Sequence, residues 1–480
     1  MESKIKKSIE KELKIIKKFL NNKFIISQNF NFPIDNSQIH FNFEENYIKF
    51  ELILKNNVNS KNITFKRLGF DESFEVSSLK DRYVIPKESI FYFKGKSFID
   101  SKRITGKLRE IHTLNFPVKK DSRFKAIYKI NQDHVTTIFK GSSYFCDKTF
   151  YGLGLIKINI QDITYHIYRH NEENENYIVI ENLDKTYFSN FKFDIDSILK
   201  VFGLITGNWY QNERFIFSND VSPEVELFYE SLEDSIITER EIINPNEFRS
   251  FMNNFFESNY KLTSALFPET SLANLVNNLK LNQEIERTID LLIEGNGIKS
   301  PIIRCSVYFV ALEAIVGIIH KKNKDFFKPI KRINGLNNIK KELLLSLESN
   351  KNEVLPNEYE ILVKKLNNLN SPANKDIFIL AFDFFNINLP KRLKNVLSSR
   401  NKFLHGKTPF EESSIKDKLP ELNLYAHRIH LLVSILILKY SGYKGHVKNR
   451  SAYDLVSQEY YSEVKNEDDI GQNDNVYYKI

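Results

Sequence analysis

The sequence predicts an α+β multidomain protein, with a β-rich, sandwich-like N-terminal region followed by an all-α helical region. Three observations predict this. Up to about residue 190, apolar residues alternate with period two, the spacing of half-buried strands. From about Asn246 they recur at three and four residues, the spacing of helix faces. The chain has 480 residues, enough for several domains with sizeable cores.

The whole-chain bounds are permissive. A hydrophobic content of 41% is that of a folded protein. Cys146 and Cys305 lie far apart and form no ligand pattern, which disfavours a disulfide framework or a cysteine zinc site and suits a reducing cytoplasm. A formal charge of +8 permits nucleic-acid binding without demanding it. The start, Met-Glu-Ser-Lys-Ile-Lys-Lys, has no apolar run of signal-peptide length. Leu431–Leu438 is the most apolar stretch, but Ser434 interrupts it and it is too short to span a bilayer. We read it as a buried helix, and expect a cytoplasmic location with no membrane partner.

Taken in order, residues 1–21 hold a lysine-rich amphipathic helix, with Ile5, Ile9, Leu13, Ile16 and Leu20 on its apolar side. It reads either as a helix covering the β region or as a nucleic-acid or membrane-surface helix. Residues 22–240 are the β-rich region. One hairpin runs through Ile39, Phe41 and Phe43, turns at Glu44–Asn46, and returns through Ile48, Phe50, Leu52 and Leu54. Short runs follow at Ile63–Phe65, Ile90–Phe93, Ile127–Ile130 and Val135–Phe139. A second hairpin pairs Ile156–Ile160 with Ile163–Ile167 across Gln161-Asp162. His166 and His170 share a strand face, but no third ligand completes a metal site locally. Ile195–Thr206 reads as a buried helix ended by Gly207-Asn208, and Trp209 as core or interface packing.

Residues 241–298 form a helical linker or extra bundle helices, 299–445 a helical domain, and 446–480 a polar tail. Candidate helices span 272–294, 301–320, 336–348, 355–367, 373–386, 390–405 and 417–441, with a loop at Asn334–Asn338. His427 and His430 fall beside the apolar face of the last helix and read as structural. No phosphate-binding Gly-x(4)-Gly-Lys-Ser/Thr loop, His-Glu-x-x-His or Cys-x-x-Cys motif occurs, so an NTPase, a zincin and a zinc ribbon are disfavoured.

The stretch with chemistry in it is Ser398–Gly406, Ser-Ser-Arg-Asn-Lys-Phe-Leu-His-Gly. Leu393, Val396, Leu397 and Leu404 make an apolar stripe, and Gly406 with Pro409 should stop the helix near His405. Arg400 and His405 are five residues apart, about 140° around an ideal helix. They converge only if the last turn loosens or a second copy of the helix completes the site. Arginine offers a planar fork to phosphate oxygens, histidine exchanges a proton near neutral pH, and Asn401 can orient either. Together they suit metal-free cleavage of RNA. Read structurally instead, they are capping residues at a helix C-terminus. Glu313, on an otherwise apolar stretch, needs a partner. Arg400, Arg304 and Lys394 are the candidates.

Arg-Asn-x-x-x-His-Gly at a helix end resembles the signature of HEPN domains, and Tyr308-Phe-Val-Ala-Leu-Glu-Ala-Ile-Val316 resembles the other recurrent stretch of the Apea-like HEPN group. The likeness covers roughly residues 300–440, and more faintly the β-rich region. It implies a HEPN-like helical bundle and a metal-independent endoribonuclease of the anti-phage, abortive-infection type, needing no cofactor or metal. Arg400 would hold the scissile phosphate, His405 would act as general acid or base, Asn401 would orient them, and Glu313 would support Arg400. The implied partners are an RNA substrate, transfer RNA among the candidates, a second copy of the chain in a homodimer or higher homo-oligomer, and a phage-derived trigger sensed by the β-rich region. HEPN domains also occur as non-catalytic dimerisation or RNA-binding modules, which is the alternative.

Overall fold

The computed structural model describes residues 2–26, 34–42, 47–54, 73–78, 81–87, 89–91, 103–130, 138–140, 142–146, 149–211, 213–218, 226–232, 234–238, 240–255, 266–407, 410, 418–451 and 477–480. It is a mixed α and β structure with a large antiparallel sheet and helices toward the C-terminus. The chain divides into two compact units, Met1–Leu281 and Asn282–Ile480.

The first unit contains helices α1 (Glu2–Leu20), α2 (Phe188–Thr206), α3 (Pro245–Phe255) and α4 (Glu269–Leu281). Among the described residues fifteen strands pair into one continuous sheet. Its middle strands are Glu175–Asn182, Phe124–Ile130, Glu213–Ser218 and Glu226–Ser231, each antiparallel to the next. Glu226–Ser231 is buried at every position, so both faces of the sheet are covered there. On one face Ile127, Phe217 and Tyr229 share a core with Ile9, Leu13 and Phe19 of α1. On the other, Phe124 and Phe228 meet Phe188 of α2 at 5.4 and 4.7 Å between ring centroids. The expected sandwich therefore resolves into a sheet with a helix on each face. Alternation along a strand reports that a face is covered, but not by what.

The two expected hairpins are present. Ile39 pairs with Phe50, and Ile160 pairs with Ile163 across a turn in which Gln161 has a φ of 52°. The run at Ile63–Phe65 and the turn at 44–46 lie outside the described residues. Helix α2 begins seven residues earlier than Ile195, and ends at Gly207, whose φ of 75° makes the left-handed cap. His166 and His170 face different carboxylates, Glu181 at 4.0 Å and Glu172 at 3.3 Å.

The second unit contains α5 (Gln283–Gly297), α6 (Pro301–Lys322), α7 (Lys324–Phe327), α8 (Ile333–Ser349), α9 (Pro356–Asn367), α10 (Asn374–Phe384), α11 (Lys391–Ser398), α12 (Arg400–Leu404) and α13 (Leu419–Tyr440). Helix α6 is the centre, packed against both α5 and α13. A Cβ at Gly295 of α5 would meet the Tyr308 ring at 2.5 Å, so glycine permits the close approach of α5 to α6. Tyr308 also donates to Asn296 Oδ1 at 2.7 Å and meets the His430 ring at 5.3 Å, which gives His430 the structural place expected. Helices α6 and α13 are each long and apolar enough to cross a membrane by length and composition, and more than half of each most apolar window is buried inside the protein. The apolar run Leu431–Leu438 is thus part of a 22-residue helix, longer than the run itself.

Two expectations are corrected here. The helix expected over 272–294 is two, α4 and α5, parted at Asn282, whose side chain accepts from the Glu284 N–H at 3.1 Å and so starts a new helix. Asn334–Asn338 lies inside α8 rather than in a loop, because one helical turn outweighs weak local propensities once Leu336 is buried. Within the polar tail, the last residues return to the chain. Strand Tyr477–Lys479 pairs with His446–Lys448, and the Ile480 N–H donates to Gly445 O at 2.9 Å.

Candidate active site

The segment that carries the motif is built as two short helices. Leu393, Val396 and Leu397 bury one side of α11, as their spacing requires. The helix then breaks at Ser399, whose N–H donates to Val396 O at 3.0 Å while its own carbonyl accepts from Lys402 and Phe403. Helix α12 starts afresh at Arg400 and closes at His405, the expected end point. The close is a glycine cap of the six-to-one type. Lys407 N–H donates to Lys402 O at 2.8 Å, Gly406 N–H donates to Phe403 O at 3.0 Å, and Gly406 has a φ of 70°.

Helix α6 seats α12. Phe403 is buried, 5.7 Å from Phe309 and 5.9 Å from Tyr425 between ring centroids. The Ser306 hydroxyl donates to Phe403 O at 3.0 Å. Ser306, Phe309 and Glu313 stand three and four residues apart, so one face of α6 serves the whole of α12.

On that seat, Arg400 Nε donates to Glu313 Oε1. Of the three candidate partners, Glu313 thus takes Arg400, while Arg304 is spent on Ile298 O and Asn423. Arg400 Nη1 donates to Asn401 Oδ1 at 2.8 Å, and the guanidinium lies 5.5 Å from the centre of the Phe378 ring. The side chains of Arg400 and Glu313 remain 26% and 33% exposed, so the pair is half open to water. The guanidinium has N–H groups left over, and these are the ones an incoming oxyanion can take.

His405 is exposed, and its backbone N–H donates to Asn401 O at 3.2 Å. No hydrogen bond joins its ring to Arg400 among the described residues. The motif therefore brings Arg400, Asn401 and Glu313 together at the start of α12, and places His405 at the other end of that short helix. Sequence reasoning missed Phe378 and Ser306. Neither carries a signal in spacing or composition, because each acts through a contact with a distant segment.

No family model matches the chain, and neither a curated protein nor a solved structure matches it.

Proposed function

We propose that this chain is a metal-independent endoribonuclease of the HEPN type, an abortive-infection effector against phage. The helical unit is then a HEPN-like bundle, and the β-rich region senses a phage-derived trigger. One observation carries the reading. Arg400 is held by Glu313 and Asn401, half open to water, at the start of a five-residue helix whose other end carries the exposed His405.

Glu313 and Asn401 fix the guanidinium plane before substrate arrives, so binding a phosphate costs little side-chain entropy. The ribose 2′-OH attacks the adjacent phosphorus. Its proton passes to a base, negative charge grows on the equatorial oxygens, and the leaving 5′-oxygen takes a proton from an acid. Arg400 stabilises the growing charge and His405 exchanges one of the protons. One histidine per chain cannot conveniently serve as both base and acid. A second copy facing the first supplies the other, which makes the working protein a homodimer or a higher homo-oligomer. Unpaired loops, those of transfer RNA included, are the natural substrates because their bases are unstacked. A cytoplasmic location follows from an RNA target of this kind.

A second reading keeps the same residues without catalysis. A guanidinium with two protein partners is also what a structural ion pair looks like, and the unit would then be an RNA-binding or dimerisation module.

The test is RNA cleavage by the purified protein in EDTA. Cleavage should persist, give 2′,3′-cyclic phosphate ends, and vanish in His405→Ala. Loss on chelation with recovery in magnesium would rule the mechanism out. RNA binding without cleavage under any condition favours the module.

A further inference from the structure

We propose that the cleft between α5 and α6 holds an unstacked nucleotide of single-stranded RNA, next to the phosphate that Arg400 contacts. This rests on the ribonuclease reading and adds to it where the substrate lies. The cleft has a volume of about 680 Å³, within the range of pockets that take small organic ligands. Glu313 lines it and also holds Arg400 Nε, so the arginine stands at its border.

The floor is one face of α6, formed by Val310, Ala314, Gly317 and Ile318. Gly317 is exposed, and among the described residues a Cβ placed there meets nothing within 4 Å. An uncharged, shallow patch is left on which a flat ring can lie against the helix. The walls carry cations. Arg287 comes from α5, and Lys321 and Lys322 from the end of α6. The carboxylates in the lining are already engaged, Glu313 by Arg400 and Glu284 by Arg287 at 3.7 Å. The Arg287–Glu284 pair is more than half exposed on both sides, and such pairs are weak enough for a phosphate to compete. Lys322 sits over the Tyr440 ring at 4.8 Å, whereas Lys321 projects from an exposed position. Uncommitted positive charge beside an apolar floor fits a backbone phosphate joined to an exposed base. A paired A-form duplex presents its phosphates and sugars but keeps its base faces stacked, so it has nothing to place on that floor.

The test measures RNA binding rather than cleavage, using full-length protein carrying His405→Ala and a short fluorescent single-stranded RNA. Adding Gly317→Leu should weaken binding about tenfold and leave the salt dependence unchanged, because it fills the floor without touching charge. Adding Arg287→Glu and Lys321→Glu together should weaken it by more than tenfold and lower the slope of log affinity against log salt by about 0.7 for each phosphate no longer neutralised. A duplex of the same length should be insensitive to Gly317→Leu. Thermal midpoints confirm folding, which leucine on an exposed helical turn should not impair. Unchanged affinity in both folded variants overturns the proposal. So does a change of oligomeric mass by Gly317→Leu with RNA affinity intact, which would make the cleft a seat for a second copy. The two failures separate cleanly. A protein that never cleaves but loses RNA affinity in Gly317→Leu refutes the nuclease and keeps the cleft. A nuclease indifferent to all three substitutions refutes the cleft alone.

Discussion

Two arginines show how one chemistry serves two ends. Arg214, on a central strand of the first unit, is 1% exposed. It donates from Nε to Glu230 at 2.7 Å, and reaches Asp196 of α2 and the Tyr128 hydroxyl as well. Glu230 also accepts from Lys192 at 3.1 Å. Burial alone would raise the Glu230 carboxyl, but Arg214 and Lys192 beside it hold it below the usual carboxylate range. Arg400, on the second unit, has fewer partners and keeps a quarter of its side chain in water. The first guanidinium has its surroundings fixed on every side and fastens α2 to the sheet. The second is oriented but not enclosed, as the proposed role in holding a phosphate requires.

The largest expected effect tests that contrast on stability. Arg214→Ala leaves Glu230 buried and short of its partner, and should cost about 3–5 kcal/mol. Arg400→Ala breaks a half-exposed pair and should cost about 1 kcal/mol or less. Thermal or urea unfolding of both variants measures the difference. Equal losses would make Arg400 another structural residue.

Cleavage should show the opposite order. Arg400→Lys keeps the charge but loses the planar fork, so it should fail almost as badly as Arg400→Ala. Removing one well-placed stabiliser of transition-state charge typically costs roughly a hundred- to a thousandfold in rate, about 3–4 kcal/mol. A rate for Arg400→Lys within a few-fold of wild type excludes bidentate gripping of phosphate. Arg214→Ala tells nothing about chemistry unless its second unit remains folded, so its rate is compared at a temperature below both midpoints.

Much of the second unit was legible in sequence because its signals are local. The apolar stripe of Leu393, Val396 and Leu397, the stop at Gly406, and the need of Glu313 for a basic partner all lie in short stretches. The break at Ser399 was not legible, since neighbouring residues continue a good helical pattern. Phe378 over Arg400 was not legible either, because ring and guanidinium meet only when α10 and α12 pack. In the first unit the hairpins could be read from alternation, whereas Arg214 could not be singled out. One charge in an apolar strand looks like a solvent-facing residue until the partners on α2 and the next strand are known. The return of Tyr477–Lys479 to His446–Lys448 joins segments about thirty residues apart, and three residues of strand carry no usable period.

A smaller effect is expected in pH dependence at the other face of the sheet. Lys125, 4% exposed, is shared by Glu12 of α1 at 3.1 Å and by Glu181 at 3.6 Å, and Ser8 donates to Glu12. Burial raises the Glu12 carboxyl, with Glu181 nearby adding to the rise, and Lys125 offsets this only in part. The folded state then binds the proton more tightly than the unfolded chain. Glu12 should therefore favour folding at acid pH and lose that contribution as pH rises above its ordinary titration range, near 4.3, through its raised value. Glu12→Gln should gain on wild type in thermal midpoint as pH climbs through that window. A constant difference between the two proteins across pH would show that the carboxyl is not raised.

A last, modest effect on stability belongs to Gly406, and it sharpens the account of His405. The left-handed φ of 70° lets Lys407 and Gly406 close α12 by their bonds to Lys402 and Phe403. Among the described residues no atom lies within 4 Å of a Cβ built on the glycine, so the expected cost of Gly406→Ala is conformational. Forcing an L-residue into that region costs about 1–2 kcal/mol, partly offset by the stiffer unfolded chain. Asparagine tolerates the same conformation better, so Gly406→Asn should recover most of the loss. His405 is the residue immediately before the glycine, and its backbone is held by the same closing turn. Cleavage should thus fall several-fold in Gly406→Ala and return in Gly406→Asn, in step with the thermal midpoint. If both variants cleave like wild type while Gly406→Ala melts lower, the cap is structural only and His405 is positioned by some other contact. If both lose cleavage equally while Gly406→Asn keeps its midpoint, the open space beside Gly406 is itself needed by the substrate.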